Sequence, residues 1–472
     1  MPRDVQRNGF RRPRMGEALF PLVVTMFLVG LSVLKWDVPL HAPLILGTFV
    51  TVLFSLRLGY RWSDIEGFML KGFEEAASIF PVMLAIGMVV GVWMISGTIP
   101  AMVYYGLKVL KPRIFLVAAF LFSALVSLAM GTTWGTVSSV GVALTAIGQS
   151  MGFPLPLTAG AVVSGAFAGA TVSPISPIAH LAATITEVDF TKHARNVFIH
   201  SLPALVISIA FYIFMGKPYA GVSADPADAL LISKALQGTY NLSPILFLPT
   251  ILVIGLGFAG WKVVPSLMVG TITGGLVGII YQGAKVSEVV QAMYSGYLPP
   301  NFPLDFWANK GGMVSMYDVL ALIIIALTYA GTLDGTGMLE VMMEGALSRF
   351  KGQRGLIGFS VVAGSLVGLV AGTQSLAILL MGHTFMESYH SLGIPSLTLS
   401  RVLSDCGILV APLVPWNSNG LFISGVLGVS TFAYAPYAIY CWLVPIMSFI
   451  YALRGSPRTE AEGVPKEASE AL

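Results

Sequence analysis

The chain reads as an all-α polytopic membrane protein built from two repeats, and three observations predict this. First, 56% of its 472 residues are hydrophobic and only 10% are charged, with a mean hydropathy of +0.81. Soluble domains carry about 25% charged residues. Second, the apolar stretches are long enough for about ten to thirteen spans at roughly 20 residues each. Third, several are broken by Gly, Pro and hydroxyl residues, most clearly between Met130 and His180, where Gly131-Thr132-Thr133-Trp134 and Pro174-Ile-Ser-Pro177 interrupt a membrane-compatible run. Proline removes a backbone donor and clashes with the preceding turn. In a bilayer the freed groups must be satisfied by protein or by a water-filled cavity. Broken helices of this kind form the binding sites of many secondary transporters.

Taken in order, residues 1–16 form a basic arm with Arg3, Arg7, Arg11, Arg12 and Arg14. The long apolar run after it lacks a clear small-residue cleavage site and reads as a first span, with the N-terminus cytoplasmic by the positive-inside rule. Residues 17–64 hold two spans, near 18–34 and 43–56, followed by a basic loop with Arg57, Arg61 and Lys71. The first repeat occupies 65–216. Its opening span, 76–95, is preceded by Glu74 and Glu75, which read as acids in a first helical turn. That span ends at Gly97-Thr98-Ile-Pro100. The interrupted stretch follows, then a polar segment from Glu187 to Arg195 and a span near 197–214. Residues 217–285 comprise a polar linker (217–242) and connecting spans near 243–258 and 264–281. The second repeat, 286–455, starts with loop and interfacial helix. Its apolar run from Met313 breaks at Gly331 to Thr336, and spans follow near 356–370, 397–409 and 437–453. Residues 456–472 form a polar tail.

The repeat shows as matched breaks. Gly97-Thr98 pairs with Gly335-Thr336, and Gly131-Thr132 with Gly372-Thr373. Gly152-Phe-Pro154 pairs with Gly393-Ile-Pro395. Gly169, Pro174 and Pro177 pair with Gly407, Pro412 and Pro415. The separations are 238, 241, 241 and 238 residues. Charge placement does not decide whether the repeats are parallel or inverted, because inversion puts Lys111/Arg113 and Lys351/Arg354 on opposite sides.

Candidate functional residues cluster at the breaks. Thr132, Thr133, Ser173 and Ser176 in the first half, with Thr373, Gln374, Asn417 and Asn419 in the second, offer hydroxyl and amide groups beside unwound backbone. They can bind a cation or orient a small solute, while half-helix N-termini attract a carboxylate. The alternative is local backbone satisfaction. Asp405 is an ionisable group within an apolar stretch, hence a candidate ion- or proton-coupling carboxylate; the alternative is an i, i+4 pair with Arg401. His180, just past the Pro174/Pro177 break, is a candidate proton carrier or a hydrogen-bonded structural histidine. Asp334 faces a cavity or caps a helix, and Asp318 reads as an interfacial cap. Cys406 and Cys441 lie in apolar stretches and read as inert buried thiols. No Walker loop, metal-ligand cluster or nucleophile–base spacing appears, so neither an enzyme nor a nucleotide-driven pump is indicated, and no metal or organic cofactor is expected. The expected partners are the lipid bilayer and a small ion or small organic solute, with no nucleic acid.

Trp93-Met-Ile-Ser-Gly-Thr-Ile-Pro-Ala101, Gly131-Thr-Thr-Trp-Gly-Thr136, Ser164-Gly-Ala-Phe-Ala-Gly169, Leu399-Ser-Arg-Val-Leu-Ser-Asp-Cys-Gly407 and Ala411-Pro-Leu-Val-Pro-Trp-Asn417 resemble motifs of the NhaC family of Na+/H+ antiporters. The resemblance covers about residues 65–455. It implies an ion-transporter-superfamily fold with two inverted repeats, each giving a re-entrant hairpin and a broken helix. It also implies alternating access, Na+ and H+ as coupling ions, location in the cell membrane and a homodimer. The family also holds carriers of amino acids and organic anions, so a Na+- or H+-coupled carrier of such a solute is the rival reading. Departures from the pattern are specific: its acidic positions are occupied here by Ala170, Pro177 and Thr373, and its final amide by His180, whereas Asp405 is kept.

Overall fold

The computed structural model describes residues 11–36, 38–221, 226–299, 311–347 and 352–454. The start of the basic arm, Lys351 and the polar tail lie outside them. All regular elements among the described residues are helical. Among the described residues, eight helices are long and apolar enough to cross a membrane, or ten if each of two bent pairs counts as one span. Three shorter apolar helices, Met15–Leu31, His41–Arg57 and Ile439–Arg454, accompany them. Apolar side chains point outward along these helices: Phe27 is 63% exposed, Val206 58%, Phe214 65% and Ile280 78%. A soluble monomer does not leave this much contiguous apolar surface in water; lipid covers it.

The interior depends on small residues. Gly165 and Gly169 lie four apart on the Leu155–Val172 helix, and a Cβ at either would run into the backbone of the Pro112–Met130 helix, at Phe120 O and Ala124 O respectively. The two backbones therefore pack at near contact, as small-xxx-small faces allow in membranes. The Ser164–Gly169 motif owes its composition to this packing.

Several boundaries differ from the sequence expectation. Glu74 and Glu75 do not open a helix. The helix runs Trp62–Ile95 without interruption, about 51 Å at 1.5 Å per residue, and its first-turn acid is Asp64, whose carboxylate accepts from Arg61 N at 2.9 Å. Nothing in the segment before Ala76 breaks a helix, and its Met, Leu, Lys and Glu residues favour one. Lys71 consequently lies on the helix rather than in a loop. The 217–242 stretch is largely helical too, since Phe190–Gly221 runs into it and Pro226–Thr239 fills most of the rest. Asp318 sits in the first turn of Tyr317–Gly335 but is not its cap; it lies 3.6 Å from His41 Nε2.

The breaks recur in order. In the first half, Pro112–Met130 ends on left-handed Gly131 (φ 65°), and a second arm starts at Thr133 and continues through a π turn, Val137–Gly141, to Ser150. Leu155–Val172 then stops at Ser173, and Pro177–Ile185 resumes. In the second half, Gln353–Val370 gives way to Gln374–Ser391; Ser396–Val402 passes into a π turn, Leu403–Ile408, then unwinds before Ser418–Leu427. The helix-starting caps are Thr132 and Thr373, Pro154 and Pro395, Ser176 and Asn417. Each pair is 241 residues apart. The left-handed glycines before the preceding short helices are Gly97 and Gly337, 240 apart. The two sequence matches at 238 are thus displaced by two or three residues from the structural correspondence.

Candidate functional site

Each break is built around a side-chain cap. Thr132 Oγ1 accepts from Gly135 N at 3.4 Å, and Thr373 Oγ1 from Leu376 N at 3.3 Å. Ser176 Oγ accepts from Ala179 N at 3.4 Å, and Asn417 Oδ1 from Asn419 N at 3.0 Å. These bonds satisfy donors that a helix start leaves unpaired.

The carbonyls at the preceding helix ends find partners on the broken helix of the same half. Ser173 Oγ donates to Leu128 O at 2.6 Å. At the equivalent place, Trp416 Nε1 donates to Leu369 O at 2.6 Å, Asn417 Nδ2 to Ala371 O at 2.9 Å, and Ser418 N to Gly372 O at 2.9 Å. Ser173 and Asn417 are therefore fully buried backbone-binding groups behind the site.

Two adjoining cavities lie where the breaks converge. The smaller, about 310 Å³, is lined by Glu75, Ser78, Trp134, Thr373, Gln374, Ser375, Ser418 and Asn419. The larger, about 730 Å³, is lined among others by Thr132, Thr133, Trp134, Ser176, Lys262, Gln374 and Ser375. Trp134, Gln374 and Ser375 form the shared wall. Six of the residues singled out from sequence thus meet here: Thr132, Thr133, Ser176, Thr373, Gln374 and Asn419. The two halves are joined directly, because Trp134 Nε1 donates to Asn419 Oδ1 at 2.9 Å while its ring stacks on Phe422 at 4.3 Å and 11°. Asn419 Nδ2 donates in turn to Asn417 Oδ1 at 3.1 Å. Gln374 Nε2 donates to Ile408 O at 3.1 Å, which leaves its amide oxygen as the remaining acceptor.

Asp405 and His180 are elsewhere. Asp405, 2% exposed, occupies the π turn and lies 3.5 Å from Arg401 Nε; neither residue lines the two cavities. The Arg401 guanidinium sits 5.7 Å from the Tyr451 ring centre. His180 Nδ1 is 3.0 Å from Ser176 O, and its ring stacks on Phe190 at 4.0 Å. Beyond Phe190 lies a histidine that the sequence did not single out. His193 is fully buried, with Nδ1 2.6 Å from Ser400 Oγ and Nε2 3.3 Å from Ser404 Oγ. Ser400 also donates to Ala182 O, so its hydroxyl accepts from Nδ1–H, and Nε2 accepts from Ser404.

Glu75 and Lys262 were likewise not among the sequence candidates. Glu75 was hidden by the misplaced helix start, and Lys262 begins an ordinary-looking helix, Val263–Gln282. Trp134 was visible as a motif residue, though its partner 285 positions away was not.

Comparison with known proteins agrees with this architecture. The profile of the Na+/H+ antiporter family matches residues 168–456. Over 97% of its length the chain is 32% identical to the Na(+)/H(+) antiporter NhaC of Alkalihalophilus pseudofirmus, covering 98% of that protein. It is 30% identical to the malate-2H(+)/Na(+)-lactate antiporter of Bacillus subtilis, over 94% of this chain and 96% of the relative. It is 32% identical to the arginine/ornithine antiporter ArcD of Halobacterium salinarum, over 94% and 93%. The chain belongs to the Na+/H+ antiporter family, and is a multi-pass secondary transporter rather than an enzyme.

Proposed function

We propose that this chain exchanges Na+ for H+ across the cell membrane by alternating access, with the ion site in the paired cavities between the two halves. The observation that supports this reading is the convergence itself: Thr132, Thr133 and Ser176 from one half and Thr373, Gln374 and Asn419 from the other line two adjoining cavities, with Trp134 bridging both halves. Unwound, capped helix ends give neutral oxygen ligands without carrying fixed charge, which suits an ion that must bind and leave. In this reading the two repeats are inverted, the N-terminus is cytoplasmic and the protein works as a homodimer. Asp405 couples from behind the wall, through the exchange of its Arg401 partner, and His180 carries a proton beside the Ser176 cap.

Proteoliposomes containing a pH-sensitive dye test the reading. A pulse of NaCl, against KCl and choline chloride, should drive proton movement. No response to any cation would overturn it.

A second reading has a specific observation in its favour. The larger cavity has room for a small organic solute. Its wall includes Lys262 and the Pro177–Ile185 N-terminus, which together suit a carboxylate. Relatives named for lactate, malate and arginine exchange belong to this same family. A dye response that needs an added amino or carboxylic acid would favour this second reading.

A further inference from the structure

The smaller cavity contains one acidic side chain, Glu75. It projects from the Trp62–Ile95 helix, with Ser78 and Ile79 beside it on that helix, toward the second-half break residues Thr373, Gln374, Ser375, Ser418 and Asn419. Among the described residues no basic side chain forms an ion pair with it. The polar groups around it are hydroxyls and amides, beside Trp134 and Ile79, and several retain acceptor capacity. Gln374 has its nitrogen committed to Ile408 O, and the Thr373 hydroxyl keeps a lone pair beyond the one taken by Leu376 N.

The charge environment is simple. The Tyr317–Gly335 helix, which carries Asp334, packs against the Glu75 helix. Lys71 lies one turn earlier on Glu75's own helix. The segments carrying Thr373–Ser375 and Ser418–Asn419 bring only neutral side chains to the cavity, and Lys262 lines the adjoining one. The Glu75 side chain is exposed to the open cavity and, among the described residues, has no ion-pair partner there, so its charge is free to meet a cation that enters that space. Hard oxygen ligands of this type favour a hard cation.

We propose that Glu75 is the cation-binding carboxylate of this transporter, and that Na+ and H+ compete for it. Na+ enters the oxygen-lined pocket as the Glu75 proton leaves to water, and the carboxylate takes up a proton when Na+ departs. One negative charge is thus neutralised in either loaded state, which makes binding of the two ions mutually exclusive. The proposal rests on the cation-exchange reading of this cavity, and the experiment separates the two.

Purified full-length protein is heated with NaCl or with choline chloride at equal ionic strength, and the same preparations are reconstituted for dye-monitored exchange. Wild type should be stabilised by Na+. Glu75→Gln, of the same size and facing open space, should need at least tenfold more Na+ for the same thermal shift and should lose exchange. Glu75→Asp should recover part of both. Monodisperse elution of each variant establishes folding. Wild-type protein that gains nothing from Na+, or a Glu75→Gln protein that responds as wild type does, would overturn the assignment. If wild type exchanges ions and Glu75→Gln does so equally, the exchange reading stands and the Glu75 assignment falls. If wild type binds Na+ without exchanging it, and Glu75→Gln loses that binding, Glu75 stands and the exchange reading falls.

Discussion

Asn417 ties the second break to the end of the Gln353–Val370 helix, so its removal has a calculable cost. Its Nδ2 donates to Ala371 O at 2.9 Å, and its Oδ1 accepts from Asn419 N and Nδ2 at 3.0 and 3.1 Å, all within a residue only 1% exposed. Asn417→Ala removes a helix cap, which costs about 1 kcal/mol. It also strands the Ala371 carbonyl and the Asn419 Nδ2 donor, each a buried unsatisfied group of about 1 kcal/mol or more. The expected total is about 3 kcal/mol. Asn417→Ser installs the residue found at the corresponding position of the first half, Ser176, and keeps an oxygen cap while losing the donor to Ala371. It should cost about half as much. Reversible denaturant titration of the purified protein in mixed micelles reads the difference, with the half-life at raised temperature as a second measure where unfolding is irreversible. A loss below about 0.5 kcal/mol for Ala, or a Ser variant as damaged as the Ala variant, would refute the accounting, since either result means the three bonds are not made or are replaced by water.

Three further predictions concern residues set back from the cavities. Asp405→Asn should stop Na+-driven proton movement and, by leaving Arg401 unpaired, destabilise by about 3–5 kcal/mol. The double variant Arg401→Gln/Asp405→Asn should regain the stability but not the exchange, so transport by the double variant would reduce the pair to a structural contact. Ser173→Ala should cost about 1–2 kcal/mol in the same titration because Leu128 O loses its partner, while the Na+ dependence of exchange stays unchanged; an altered Na+ dependence would place Ser173 in contact with the ion. His180→Gln should move the pH profile of exchange, whereas an unmoved profile with lower protein yield would assign His180 to the Ser176 carbonyl and the Phe190 stack alone.

The helix breaks were legible from sequence because their chemistry is local. A Gly-Thr pair or a Ser before Pro at membrane depth has few ways to satisfy its backbone, and the caps at Thr132, Thr373, Ser176 and Asn417 follow from that constraint. Gly165 and Gly169 were visible as part of a motif, although neither the close packing they permit nor its partner helix was. What sequence could not give was rotation and distance. Asp405 stood out as a charge in an apolar stretch, yet whether its side chain points to the cavity or to Arg401 depends on a π turn that composition does not announce. Glu75 was misread for a different reason. Hydropathy marks where a helix becomes continuously apolar at Ala76, not where it starts, and the helix had already run through nearly four turns of mixed polar and apolar residues by then. His193 gave no signal, since its serine partners lie more than 200 positions away.

The Trp134–Asn419 bond has a consequence for the populations of transport states. It is a neutral hydrogen bond between halves that an alternating-access cycle must separate or carry along. A bond of this kind is worth about 1 kcal/mol net, which tilts a two-state equilibrium by roughly fivefold. Such a latch sets a resting preference without locking the molecule. A minor state of the order of one molecule in six remains available for an ion to capture, and an ion with modest differential affinity can reverse the ratio.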